Sequence, residues 1–243
     1  MPKATSVGHP VAVIGAGPVG LAAAARLVEQ GLTPLVLEKG PAVASSLRAW
    51  GHVRVFTPWE LNIDAAARAL LRRTGWIEPD LRALPTGADL VRAYLEPLAA
   101  HPAIAPHLVL EARVTAITRA GFDKMRSAGR EERPFEIRWQ DRAGRERRAL
   151  AAAVIDASGT WDQPNPMGAD GLCVPGETGA GDVVAYGIPD ILGADRMRYR
   201  DRHVLVVGSG HSAIHAVLDL IALGHAHPAT RVLVVDKLTY AGN

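Results

Sequence analysis

The sequence predicts an α/β chain assembled from two strand–turn–helix–strand units, with a small antiparallel meander following the first. Three observations carry this reading. A short apolar run, Val11 to Ile14, passes directly into GAGPVG and then into the alanine- and leucine-rich LAAAARLVEQ. Val204 to Val207 passes in the same way into GSGHSA and a second apolar helical stretch. Between them lie three strand-like segments interrupted by a charged, glycine-containing stretch.

Each element follows from local chemistry. Val11 to Ile14 reads as a strand, and the alanine-rich stretch after GAGPVG as a helix stopped by Gly31. A second strand, Thr33 to Leu37, ends in Glu38 and closes a βαβ unit of about 30 residues. Leu61 to Thr74 repeats apolar residues at helical spacing and stops at Gly75, which predicts one helix. Thr86 opens another, with Asp89 at the capping-box position, and Pro97 should bend or shorten it. His107 to Ile117, Pro134 to Trp139 and Ala149 to Ile155 read as strands of a meander, and Gly121 to Arg133 as an exposed turn. Gly159 to Arg202, rich in Gly, Pro and Asp, reads as a crossover. A helix from Ser212 to Leu223 and a strand from Arg231 to Val235 then complete the second unit.

Composition narrows the function classes. The 243 residues are 48% hydrophobic and 21% charged, an ordinary globular balance. Of the 27 basic residues only four are Lys, and they are scattered among 25 acids for a formal charge of +2, which argues against a nucleic-acid partner. No apolar run reaches the ~18 residues of a membrane span, and Met1 to Pro10 lacks the pattern of a signal peptide, so a cytoplasmic protein with no membrane partner is expected. Cys173 is the only cysteine, which removes any redox pair within the chain. His211 and His215 have metal-ligand spacing on a helix but no third ligand, so no metal site is expected.

The glycine motifs point to dinucleotides. In GAGPVG, formed by Gly15, Ala16, Gly17, Pro18, Val19 and Gly20, the first glycine permits a tight turn, the second lets the backbone approach a pyrophosphate, and the third lets helix and strand pack closely. The helix start then offers its unpaired N–H groups to the phosphates. Glu38, with Lys39 beside it, stands 18 residues after Gly20, where a carboxylate accepts from both hydroxyls of a ribose. Gly208, Ser209, Gly210, His211, Ser212 and Ala213 form the second motif, with Ala in the third position. Its candidate acid is Asp236, 23 residues beyond Ala213. A ribose contact from Asp236 would favour NADH, since a carboxylate repels a 2′-phosphate, while the neighbouring Lys237 leaves that choice open.

These motifs together resemble the flavoproteins with two dinucleotide-binding domains, which include flavin-containing monooxygenases and pyridine nucleotide-dependent reductases. The resemblance implies a Rossmann-like FAD-binding domain over residues 1–165, a crossover over 166–202, and the start of a second Rossmann-like, NAD(P)-binding domain over 203–243. It assigns Gly15, Gly17, Gly20 and Glu38 to the ADP half of FAD, and the second motif to NAD(P)H. VIDASGTW, ending a strand in Ala157, Ser158 and Gly159, resembles the family's second flavin segment, where small side chains let the chain pass close to the cofactor. Val114 resembles the position whose backbone meets the adenine. SSLRAW partly matches a segment beside the flavin, where Arg48 would neutralise a pyrophosphate and Trp50 cover a ring face; a surface Arg and a core Trp are equally compatible.

The reaction implied is hydride transfer from NAD(P)H to flavin and delivery of electrons to an unnamed small-molecule acceptor, with no residue singled out as catalytic. Two alternatives stay open: a flavin monooxygenase acting on a small molecule, and a non-catalytic nucleotide-binding fragment. The stretch VPGETGAGDVVAYGIPD lacks the histidine of the monooxygenase fingerprint. Family members continue past the second unit, whereas this chain stops at Asn243, so an incomplete flavin site and uncovered apolar surface favouring self-association are expected.

Overall fold

A computed structural model of the chain describes residues 8–237, so most of the Met1–Pro10 stretch read for a signal peptide lies outside the described residues. The chain divides into two compact units between residues 159 and 160. In the first, β1 (Val11–Ile14), β2 (Pro34–Leu37) and β3 (Leu108–Val109) are followed by a meander of β4 (Arg113–Arg119), β5 (Phe135–Gln140) and β6 (Glu146–Ala151), and then by β7 (Ala153–Asp156). The parallel sheet has the order β3-β2-β1-β7. The chain therefore leaves β1 in one direction toward β2 and returns on the other side as β7, which makes the carboxyl ends of β1 and β7 a topological switch point.

Helix α1 (Pro18–Glu29) starts with Pro at its first turn, where the missing N–H costs nothing, and buries Gly20, Leu21, Ala24 and Ala25 against the sheet. It stops where Gly31 turns left-handed at φ 69°. The face of the sheet toward α1 joins a core with Leu21, Val36, Trp59, Leu71, Tyr94 and Leu98. On the other face, Ala12, Ile14 and Leu37 pack with Ala112, Ile137 and Ala151 of the meander side. A short helix, α2 (Ser45–Ala49), follows β2.

Four predicted elements differ from expectation. The strand read over 107–117 is two, β3 in the parallel sheet and β4 in the meander, because between them the Glu111 and Ala112 amides donate to the Gly40 and Glu38 carbonyls and lead the chain out of the parallel sheet. The single helix read over 61–74 is two, α3 (Trp59–Asn62) and α4 (Ala65–Leu71). Between them Ile63 is extended, and the Asp64 side chain accepts from the amides of Ala66 and Ala67, so a capping residue inside the periodic pattern restarts the helix. Thr86 and Asp89 form the expected capping box on α5 (Gly87–Leu90). The next turn, Val91–Leu95, widens to a π-helical turn before α6 (Glu96–Ala99). Pro97 has no N–H for the carbonyl four residues back, that of Ala93, and this carbonyl instead accepts the Trp76 indole N–H at 2.6 Å. The strand read over 149–155 is also two: at Ala152, whose amide donates to the Pro10 carbonyl, the chain steps from the meander into the parallel sheet.

In the second unit a long irregular stretch is tied together by Glu177. Its buried carboxylate accepts from the Met167 amide (3.0 Å), the Val174 amide (2.8 Å) and the Tyr186 hydroxyl (2.5 Å). After α7 (Arg196–Tyr199) come β8 (His203–Val207), α8 (His211–Ala226) and β9 (Arg231–Val235), with β8 and β9 parallel and in register from His203↔Arg231 to Val207↔Val235. Ala216, Leu220 and Leu223 pack with Ile191 and Tyr199. Leu205 and Leu233 on the sheet, and Ile214, Leu218 and Ile221 on α8, stay exposed.

Candidate dinucleotide-binding site

The first glycine motif forms a turn whose shape follows from its glycines. Gly15 is left-handed at φ 96°, and its amide donates to the Leu37 carbonyl at 2.8 Å, which pins the end of β1 against the end of β2. A side chain on Gly15 would meet the Ala157 carbonyl at 2.7 Å, and one on Gly20 would meet the Gly15 carbonyl at 1.9 Å. Both positions are therefore closed by backbone. Gly17 is different: it is extended (φ −79°, ψ −173°), it caps α1 with no side-chain hydrogen bond, and a Cβ there would meet nothing within 4 Å. The turn thus leaves a Cβ-sized opening over a helix start that no side chain caps, the shape and polarity that a phosphate requires. Pro18 and Val19 are exposed beside it.

Glu38 is buried, with 6% of its surface exposed, and its carboxylate is held from two sides. Oε2 accepts from the Ala16 amide and Oε1 from the Gly40 amide, both at 2.8 Å. A carboxylate has about four acceptor positions, so this clamp orients Glu38 and leaves capacity for two sugar hydroxyls. Lys39 is exposed. The sequence reading missed Gly40, where a Cβ would fall 2.0 Å from the Ser45 hydroxyl and 3.0 Å from Glu38 Oε1. A glycine two residues after the acid was the available signal. It also missed Ala44, left-handed at φ 57°, whose amide donates to the Ala16 carbonyl at 3.0 Å and ties the following segment to the turn.

The switch point brings the Ala157–Gly159 segment to the first glycine motif. The Ala157 amide donates to the Ile14 carbonyl at 2.9 Å, so Ala157 and Ser158 lie against the Gly15 turn although more than 140 residues separate them in sequence. The Ser158 hydroxyl and amide both donate to Asp156, holding its carboxyl below the ordinary carboxylate range. Gly159 follows, left-handed at φ 67°. Val114 lies in β4 just after a backbone run in which Ala112 donates to the Glu38 carbonyl and Glu111 to that of Gly40. Arg48 is engaged elsewhere, with the Val43 carbonyl at 3.0 Å and Glu96 at 2.7 Å. Trp50 is half-buried against the core, and a Cβ on Gly87 would touch its ring at 3.0 Å.

The second glycine motif repeats the first in outline. Gly208 is left-handed at φ 115° and its amide donates to the Val235 carbonyl at 2.8 Å. Gly210 caps α8 in extended geometry (φ −76°, ψ 176°) without a side-chain hydrogen bond, and a Cβ on either glycine would meet nothing within 4 Å. His211 and Ser212 are exposed at the helix start, and Ala213 is half-buried. Asp236 follows the last paired residue of β9, as Glu38 follows that of β2. Unlike Glu38 it is exposed, and its Oδ1 takes a long 3.4 Å contact from the Ser209 hydroxyl and a 2.8 Å bond from the Lys237 amide. Among the described residues no group of three or more His, Cys, Asp or Glu could hold a metal ion, and no helix is long and apolar enough to cross a membrane.

Comparison with known proteins agrees with this geometry. A family model described as pyridine nucleotide-disulphide oxidoreductase matches residues 12–121. Indole-3-pyruvate monooxygenase YUCCA8 of Oryza sativa subsp. indica is 27% identical over 228 residues, which cover 87% of this chain and 45% of the relative. The chain thus spans about half the length of the curated relatives it matches. Among solved structures, bacillithiol disulfide reductase of Bacillus cereus superposes with a TM-score of 0.64 at 22% identity, over 94% of this chain and 58% of the other. S-allyl-L-cysteine S-oxygenase of Allium sativum gives 0.57 at 17% identity, over 97% and 52%. OTEMO in complex with FAD and NADP gives 0.57 at 18% identity, over 93% and 38%. By their names these proteins are a monooxygenase, a disulfide reductase, an S-oxygenase and a protein that binds FAD and NADP, and the likeness to the solved structures is one of fold. The segment at 12–121 matches the pyridine nucleotide-disulphide oxidoreductase family model, and the fold is similar to that of these solved oxidoreductases and oxygenases.

Proposed function

We propose that this chain binds FAD through its first unit and NAD(P)H through its second, as part of an oxidoreductase that passes electrons from the nicotinamide, by way of the flavin, to a small-molecule acceptor in the cytoplasm. The observation that carries the proposal is the pairing of an open Gly17 position with a clamped Glu38 carboxylate at the mouth of the β1/β7 switch point. When bound, FAD supplies the redox chemistry, and the protein's task is to hold it. The uncapped start of α1 would hold the pyrophosphate with its free amides. Glu38, fixed by the amides of Ala16 and Gly40, would accept from the ribose hydroxyls. Ala157, whose carbonyl closes on Gly15, keeps the approach free of bulky side chains.

A second reading, oxygenation of a small molecule, is favoured by the monooxygenase among the curated relatives. The two readings separate in one assay. After incubation with FAD and removal of the excess, the purified protein should show a flavin spectrum that bleaches on anaerobic addition of NADH or NADPH. An oxygenated product once air and a nucleophilic substrate are admitted would select the monooxygenase. A protein that stays colourless would exclude both. The exposed apolar residues of the second unit, among them Leu205, Ile214, Leu218 and Leu233, support self-association as the arrangement in which the chain works.

A further inference from the structure

Two acids flank the Gly15 turn, one on each side. The parallel sheet runs β2-β1-β7, so β1 has Glu38 just past the end of one neighbour and Asp156 at the end of the other, paired in register with Ile14. Each acid accepts from the amide two residues further on: Glu38 from Gly40 at 2.8 Å, and Asp156 from Ser158 at 3.0 Å. Their second bonds differ. Glu38 reaches across to the Ala16 amide, whereas Asp156 takes the Ser158 hydroxyl at 2.6 Å and stays within its own turn. Glu38 is buried and Asp156 exposed.

The turn that Asp156 closes is one wall of the site. A Cβ on Gly15 would meet the Ala157 carbonyl oxygen at 2.7 Å and the Ser158 Cα at 3.1 Å, so these two residues bound the first glycine turn on the β7 side. Sheet pairing holds only the start of that wall. The Ala157 amide still bonds the Ile14 carbonyl at 2.9 Å, but beyond it, among the described residues, the hydrogen bonds of Ser158 go to Asp156 alone. Gly159 then turns left-handed at φ 67° as the chain leaves the first unit. The Ala157 carbonyl and the Ser158 N–H belong to one planar trans peptide and point in opposite directions. Holding the N–H on Asp156 therefore aims the carbonyl at Gly15.

From this geometry, and on the reading that the first unit binds FAD, we infer that Asp156 is a positioning residue of the FAD site. It locks the 157–158 peptide against the Gly15 turn and so fixes the β7 side of the approach to the cradle. Ser158 spends both its amide and its hydroxyl hydrogen on Asp156, so it shapes the wall and donates nothing to the cofactor.

The test is a titration of the full chain with FAD, followed by flavin fluorescence beside a melting curve, for the wild type, Asp156→Ala, Asp156→Asn and Ser158→Ala. Asp156 is exposed, so Asp156→Ala should leave the melting temperature unchanged while weakening FAD binding about fivefold to tenfold, the scale of two lost hydrogen bonds. Asp156→Asn keeps an acceptor oxygen for both donors and should bind FAD as the wild type does. Ser158→Ala removes only the hydroxyl bond and should cost about twofold to threefold. Unchanged binding in Asp156→Ala, a loss that merely follows a fall in melting temperature, or an Asn variant as weak as the Ala variant would overturn the inference and leave FAD binding standing. A larger loss in Ser158→Ala than in Asp156→Ala would do the same, by making Ser158 a direct donor. A wild type that binds no FAD would overturn the inference together with the FAD reading of the first unit.

Discussion

The two βαβ units are built to the same plan but held to different tolerances. In the first, the turn is closed everywhere but at Gly17: Gly20 packs against the Gly15 carbonyl, Gly15 against Ala157, and Glu38 is buried between two amides. In the second, Ala213 replaces the third glycine, neither Gly208 nor Gly210 has a neighbour within reach of a Cβ, and Asp236 is exposed. The difference follows from the surroundings. A four-stranded sheet covered on both faces leaves no room at Gly15 and Gly20, whereas the sheet of the second unit, two-stranded among the described residues and with Leu205 and Leu233 exposed, leaves ample room at Gly208 and Gly210. The sequence motif thus specifies the path of the turn, and the packing around it determines how rigidly the acid is presented.

Substitutions would sharpen this contrast. The largest effect is expected for Gly20→Ala, which forces a methyl to 1.9 Å from a backbone oxygen and should cost about 3 kcal/mol in denaturant unfolding. The second unit already carries alanine at this step, so an equally well tolerated Gly20→Ala would break the comparison. Next, Glu38→Ala strands two amides and should cost about 2 kcal/mol, while Asp236→Ala, at an exposed acid, should change stability by less than about 0.5 kcal/mol. Equal losses at the two acids would show that their different burial has no energetic consequence. Ala44→Gly relieves a left-handed alanine and should raise stability by about 1 kcal/mol, readable as a small increase in melting temperature.

The smallest effect is a slope. The Glu177 carboxylate, with lesser help from burial, pushes the Tyr186 hydroxyl from its ordinary 10 up to about 12. Because the folded value is the higher one, this contribution is complete below pH 10 and is lost as pH rises toward about 12. Glu177 is shifted the other way, from 4.5 downward, so its contribution is present above that value and fades as pH falls through the folded one. Limited proteolysis should therefore find the 167–186 stretch opening at both extremes of pH, and Tyr186→Phe should flatten the alkaline side. An unchanged alkaline profile in that variant would remove Tyr186 from the account.

Much of this was legible in the sequence because the motifs are local. A strand, a glycine turn, a helix and an acid at a fixed step can be read from some 30 residues, and both units formed where read. Harder to see were features that depend on distant partners. Nothing near Ala149 to Ile155 announces that the chain changes sheets at Ala152, since the signal is a hydrogen bond to Pro10. The break inside the 61–74 helix was written in Asp64, but apolar periodicity outweighed a capping residue. Gly40 and Ala44 matter through the shape of the turn they touch, and a shape made by residues 16, 38 and 45 is invisible to a linear pattern.

The central claim, that the first turn is a vacant-sided cradle for the FAD pyrophosphate, is tested most directly at Gly17. This residue is extended and has nothing within 4 Å of a built Cβ, so Gly17→Ala should leave the melting temperature unchanged while weakening FAD binding, followed by flavin fluorescence, by about tenfold or more. An alanine variant that binds FAD as well as the wild type, or that loses binding only because it has lost stability, would contradict the account.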